Sequence, residues 1–105
     1  MTEWVRVGSA GEVGEGEVRS FSVGQRQVAV ANVEGDLHAF DDYCSHQQCS
    51  LAEGELDGTI VECPCHGSQF DVTTGEAVQG PATDPVDVFE VGEGDGELRV
   101  LVTQE

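Results

Sequence analysis

Apolar residues in this chain come in short runs separated by glycine-rich polar stretches, and no stretch keeps a helical period for more than a turn or two. Strands therefore carry the fold. Trp4–Val7, Val18–Ser22, Val28–Val33 and Leu37–Phe40 read as strands, with Glu34-Gly35-Asp36 as the hairpin turn between the last two. Farther along, Thr59–Glu62 and Phe70–Val72 are short strands, the second running out to a Thr74-Gly75 turn. Val86–Val91 and Glu97–Val102 close the sheet around a turn at Gly92-Glu93-Gly94-Asp95-Gly96. Trp4 and Phe89 are assigned to the core, and Gly11–Glu17 is a low-complexity loop. The pattern predicts an all-β fold in a single domain over residues 1–105.

Length and charge narrow the function. A chain of 105 residues has room for one modest core and none for an added catalytic domain of usual size. Its first residues, Met1-Thr2-Glu3-Trp4-Val5, lack a basic segment followed by an apolar one, and no apolar run approaches the roughly 18 residues needed to span a bilayer. The expectation is a soluble, cytoplasmic monomer. Twenty-one acids stand against four arginines and no lysine, a formal charge of −17. Nucleic acid and anionic membrane are poor partners for such a surface. Two readings of the charge stay open: an acidic docking face for basic patches on protein partners, or an acidic bias of the host that solvates the whole surface.

The chemistry lies between the two groups of strands. Cys44-Ser45-His46 and Cys63-Pro64-Cys65-His66 each offer one Cys and one His, and residues 47–62 between them suit one excursion away from the site and back. A Cys-x-His step lets alternate residues of an extended loop point at one ion. A Cys-x-x-His step lets a tight turn bring its first and last side chains together. Thiolate plus imidazole leaves tetrahedral zinc or an iron–sulfur cluster in which His replaces Cys on one iron. The common zinc spacings group like ligands, whereas each half-site here mixes them. A structural zinc module nevertheless stays open on the residues alone. His38 has no partner at metal-ligand spacing in Leu37-His38-Ala39-Phe40 and reads as a strand histidine of packing value.

The boxes Cys44-Ser45-His46-Gln47-Gln48-Cys49 and Cys63-Pro64-Cys65-His66-Gly67-Ser68 together resemble the Rieske iron–sulfur family, whose pattern is C-x-H-x-x-C followed by C-x-C-H-G-S. The resemblance implies a Rieske-type antiparallel β-sandwich with a cluster-binding subdomain at about residues 41–80, made of two loops plus a proline loop. It implies one [2Fe-2S] cluster, with Cys44 and Cys63 as thiolate ligands of one iron and His46 and His66 as imidazole ligands of the other. In the respiratory members the cysteines matching Cys49 and Cys65 form a disulfide, so that pairing is implied here. Gly80-Pro81-Ala82-Thr83-Asp84-Pro85 resembles the loop that covers the cluster in relatives. Ser68 stands where a family serine donates a hydrogen bond to a cluster sulfur.

Three positions depart from the respiratory pattern. Phe70 replaces a hydrogen-bonding tyrosine, and Gln47 and Gln48 replace a leucine and a glycine of box one. These changes point to an intermediate reduction potential. What the resemblance implies for function is a soluble ferredoxin, not itself an enzyme. It would carry single electrons from a flavin-dependent NAD(P)H reductase to a terminal oxygenase of aromatic-ring hydroxylation. A small subunit of a multi-component reductase, such as a nitrite reductase, is the alternative of the same kind.

Overall fold

The computed structural model describes residues 2–23, 26–43, 49–65, 67–80 and 84–103. The first four strands are β1 (Thr2–Ser9), β2 (Val18–Val23), β3 (Arg26–Val33) and β4 (Asp36–Asp41). A short 3-10 turn (Leu51–Glu53) follows, then β5 (Glu55–Asp57), β6 (Ile60–Glu62), β7 (Gln69–Asp71), β8 (Ala77–Gln79), β9 (Val88–Gly94) and β10 (Glu97–Thr103). All pairings are antiparallel. Six strands form one sheet in the order β1-β10-β9-β4-β3-β2, and four form a second in the order β5-β6-β7-β8. The four-stranded sheet is thus an insertion between β4 and β9, which belong to neighbouring strands of the larger sheet.

Two hairpins are tightened by residues with positive φ. Glu34 and Gly35 (φ 52° and 94°) turn β3 into β4, and Asp95 and Gly96 (φ 54° and 76°) turn β9 into β10. Two consecutive left-handed residues match the right-handed twist of the strands they join. The second turn is shorter than the sequence suggests, because β9 runs on through Gly94. Val86, expected in that strand, precedes it, and its N–H donates to the Gly75 carbonyl at 2.9 Å. β5 and β8 escape sequence reading because three residues with at most two apolar side chains offer no alternation to detect.

β3 is buried on both faces, and the two faces build different cores. Val28 and Val30 join Phe21, Val23, Ala39, Leu98 and Val100 in one apolar cluster, with Val5, Val7 and Phe89 packed against it. Ala29 and Ala31 join Phe40, Leu51, Val61, Cys63, Phe70 and Val72 in the other. Bulk is balanced across the β3–β4 pair: Ala29 lies opposite Phe40 on one face and Val30 opposite Ala39 on the other. β1 and β2, at opposite ends of the strand order, pack together and close the larger sheet around its core. Trp4 is not in that core. It is 51% exposed, because strand alternation turns Val5 and Val7 inward and sends Trp4 to the outer face.

Each of the four arginines lies beside an acid: Arg6 with Glu97 at 2.9 Å, Arg19 with Glu17 at 3.9 Å, Arg26 with Asp87 at 2.9 Å, and Arg99 with Glu97. Four arginines cannot neutralise twenty-one carboxylic residues, and a formal charge of −17 remains. Exposed pairs contribute at most about 1 kcal/mol each, so repulsion dominates the surface. We expect the thermal midpoint to rise as NaCl increases from about 0.02 to 0.5 M, where the Debye length falls to a few ångströms. A midpoint that falls with salt would show that the ion pairs outweigh the repulsion.

Candidate metal centre

Box two is the turn between β6 and β7. Glu62 and Gln69 are the last paired residues of the two strands, and the loop between them is closed from within. The Cys63 N–H donates to the Ser68 carbonyl at 2.7 Å, and the Gly67 N–H donates to the Cys63 carbonyl at 3.1 Å. Gly67 takes φ 78°, a left-handed conformation that a side chain disfavours. Cys63 is 2% exposed and belongs to the same apolar cluster as Leu51, Val61 and Phe70. The first residue of the box is therefore rooted in a packed core rather than in a mobile loop.

Box one leaves the larger sheet after β4 and returns at the 3-10 turn. Tyr43 and Ser50 form an antiparallel bridge, and the Leu51 N–H donates to the Asp42 carbonyl at 2.6 Å. The Asp42 side chain closes the same neck. Its carboxylate accepts from Ser50 Oγ at 2.8 and 2.9 Å, from the Ala52 N–H at 3.0 Å and from Ser20 Oγ at 3.0 Å. Sequence reading missed this residue. Asp41-Asp42 looks like an ordinary polar end of a strand, and Ser20 and Ser50 lie 22 and 8 residues away, at no spacing that signals contact.

A disulfide joins Cys49 to Cys65, with their Cα atoms 6.4 Å apart, within the span such a bond can bridge. It ties the exit of box one to the middle of box two. The Cys63 sulfur lies within 4.8 Å of both bonded sulfurs. Cys44, His46, Gln47, Gln48 and Pro81 were singled out from sequence and fall outside the described residues, as does His66. In the sequence Cys44 and His46 lie between Tyr43 and Cys49, and His66 follows Cys65, so the disulfide joins the two boxes at described residues. Ser68 and Phe70 are both fully buried, and Phe70 packs in the Cys63 cluster. His38 lies on β4 opposite Ala31. It belongs to no group of ligands among the described residues.

Of the four ligands expected from the sequence, Cys63 lies among the described residues, and its buried sulfur, beside the disulfide that joins the two boxes, fits a thiolate donor to an iron–sulfur cluster held between them. The Rieske [2Fe-2S] domain model matches residues 3–90. The chain belongs to the Rieske [2Fe-2S] family. That settles the choice between zinc and an iron–sulfur cluster in favour of the latter. Among its relatives, this Rieske chain is 41% identical over 98 residues to ferredoxin CarAc of Metapseudomonas resinovorans, covering 92% of each chain. It is 33% identical over 89 residues to the ferredoxin component of the naphthalene 1,2-dioxygenase system of Pseudomonas putida, covering 85% of this chain and 86% of that one. Among solved structures, it superposes with a TM-score of 0.85 and 41% identity on a chain in the complex of reduced oxygenase and oxidized ferredoxin of carbazole 1,9a-dioxygenase, covering 92% of this chain and 91% of that one.

Proposed function

We propose that this protein is the ferredoxin component of a ring-hydroxylating oxygenase system, taking single electrons from a flavin-dependent NAD(P)H reductase and delivering them to a terminal oxygenase. It is an electron carrier and not an enzyme in its own right. The observation that carries the reading is a likeness along nearly the full length of both chains to a ferredoxin solved with its oxygenase. Its cofactor is a Rieske-type [2Fe-2S] cluster. When bound, such a cluster supplies a one-electron store at a potential of roughly −150 to +300 mV, raised because two neutral imidazoles stand where thiolates would be.

The chain's own residues divide the remaining work. Cys44 and Cys63 would hold one iron and His46 and His66 the other; the burial of Cys63 and the family pattern support this assignment. The Cys49–Cys65 bond keeps the two loops together so that the four ligands meet without large loop motion. Ser68, buried one residue beyond Gly67, would donate a hydrogen bond toward a cluster sulfur. Phe70 has no hydroxyl to add a second, so the potential falls short of the upper end of the range. Residues 1–105 act as one domain, since β3 contributes to both cores. No helix among the described residues is long and apolar enough to cross a membrane, and the site of action we infer is the cytoplasm.

The test is electron delivery. Protein reduced with dithionite and freed of excess reductant is mixed with an oxidised terminal oxygenase of the carbazole or naphthalene type. The visible spectrum of this chain should return to its oxidised form, and hydroxylated product should appear with NAD(P)H and reductase only when this chain is present. A reduced protein that no such oxygenase reoxidises would defeat the proposal.

A further inference from the structure

Asp42 is 1% exposed, and it is the only carboxylate buried among the described residues, whose other acids reach solvent. A carboxylate out of water is costly unless it is fully hydrogen-bonded. Here both side-chain oxygens are satisfied, by Ser20, Ser50 and the Ala52 N–H. Its backbone is engaged as well, the N–H donating to the Gln27 carbonyl at 3.1 Å and the carbonyl accepting from Leu51 at 2.6 Å. One residue thus fastens β2, β3 and the returning arm of box one at a single point.

Fastening of this kind has a direction. Ser20 and Gln27 sit on the framework, whereas Ser50, Leu51 and Ala52 sit on the far side of the loop. The network therefore fixes the separation and angle of the two ends between which residues 43–49 must run. Hydrogen bonds to a charged acceptor are strong and directional, and a fully satisfied buried network holds one arrangement against alternatives. The disulfide restrains the chain at Cys49, and the Tyr43–Ser50 bridge and the Leu51–Asp42 backbone bond tie the outgoing arm to the returning one. The carboxylate adds bonds that link the returning arm to β2 as well.

We propose that Asp42 is a positioning residue for the cluster, acting through Ser50 and the 51–52 backbone to hold in place the two ends, at Tyr43 and Cys49, between which Cys44 and His46 lie in the sequence. The inference rests on the assignment of those two residues as ligands. Ser20, on β2 of the framework, and Ser50, on the returning arm, contribute one hydroxyl each to the same carboxylate, and this separates positioning from plain stabilisation.

The experiment uses the cluster-loaded protein with Ser50→Ala, Ser20→Ala, Asp42→Asn and Asp42→Ala. Three quantities are read: the rate of iron release to a chelator, the electron paramagnetic resonance of the reduced state, and the urea unfolding midpoint. Both serine variants should lower the midpoint to a similar extent. Only Ser50→Ala should speed iron release, by about tenfold for one lost hydrogen bond to a charged acceptor, and shift the resonances. Asp42→Asn retains an oxygen for the Ala52 N–H and an amide that can donate to the two hydroxyls, so it should stay near wild type where Asp42→Ala does not. Iron release that merely follows lost stability in both serine variants, with unchanged resonances, overturns the proposal. Full iron content in Cys44→Ser would instead show that the ligand assignment beneath it is wrong.

Discussion

Replacing Cys44 or Cys63 by serine, or His46 or His66 by alanine, should abolish cluster assembly, while His38→Ala should keep iron, acid-labile sulfide and the visible spectrum at wild-type levels. Wild-type protein should hold about two irons and two sulfides per chain. The expectation is sharp because geometry by itself would select other residues. The three described cysteine sulfurs, those of Cys49, Cys63 and Cys65, lie within 4.8 Å of one another, which would suit a thiolate-held metal. The disulfide removes two of them from that role, which leaves the Cys63 sulfur of the three. Iron and sulfide analysis of the purified variants decides the matter. Stoichiometric zinc without sulfide in the wild type, or loss of the cluster from His38→Ala, would show that the ligand set is wrong.

Cutting the Cys49–Cys65 bond should have the next largest effect. The bond spans a sequence separation of 16 residues, and a loop of that size constrains the unfolded chain by about 3 kcal/mol. In the folded chain it also joins the end of box one to the middle of box two. Cys49→Ser should lower the guanidinium unfolding free energy by about 3 kcal/mol and leave a cluster that is bound but lost faster to chelators. Thiol counting on denatured wild-type protein without reductant should find two cysteines blocked. If Cys49→Ser folds normally and yet binds no iron at all, Cys49 is a ligand and the pairing of roles must be redrawn.

The strands that sequence revealed are those long enough to alternate. Arg26–Val33 carries four consecutive fully buried residues, Val28, Ala29, Val30 and Ala31, and that run of small and branched apolar side chains is unmistakable. Glu55–Asp57 and Ala77–Gln79, at the two edges of the smaller sheet, have too little apolar content to announce themselves and exist because β6 and β7 offer them edges to pair with. Trp4 misled for a related reason: its size suggests burial, but its side of the strand is set by the inward turn of Val5 and Val7. The candidate ligands were legible because two short boxes place chemically rare residues at fixed spacing. Asp42 was not, because a carboxylate becomes structural only when distant hydroxyls and an amide converge on it.

The sequence alone determined the all-β class, the candidate cofactor-binding boxes and the extreme acidity, since each of these is a property of local pattern or composition. Only the tertiary structure decided how the boxes are held. Burial of Cys63 among Leu51, Val61 and Phe70, the bond between Cys49 and Cys65, and the clamp of Asp42 on Ser20, Ser50 and Ala52 all join residues far apart in the chain. Their contacts arise from two cores built on opposite faces of one strand, and a one-dimensional pattern carries no record of which distant groups such packing will bring together.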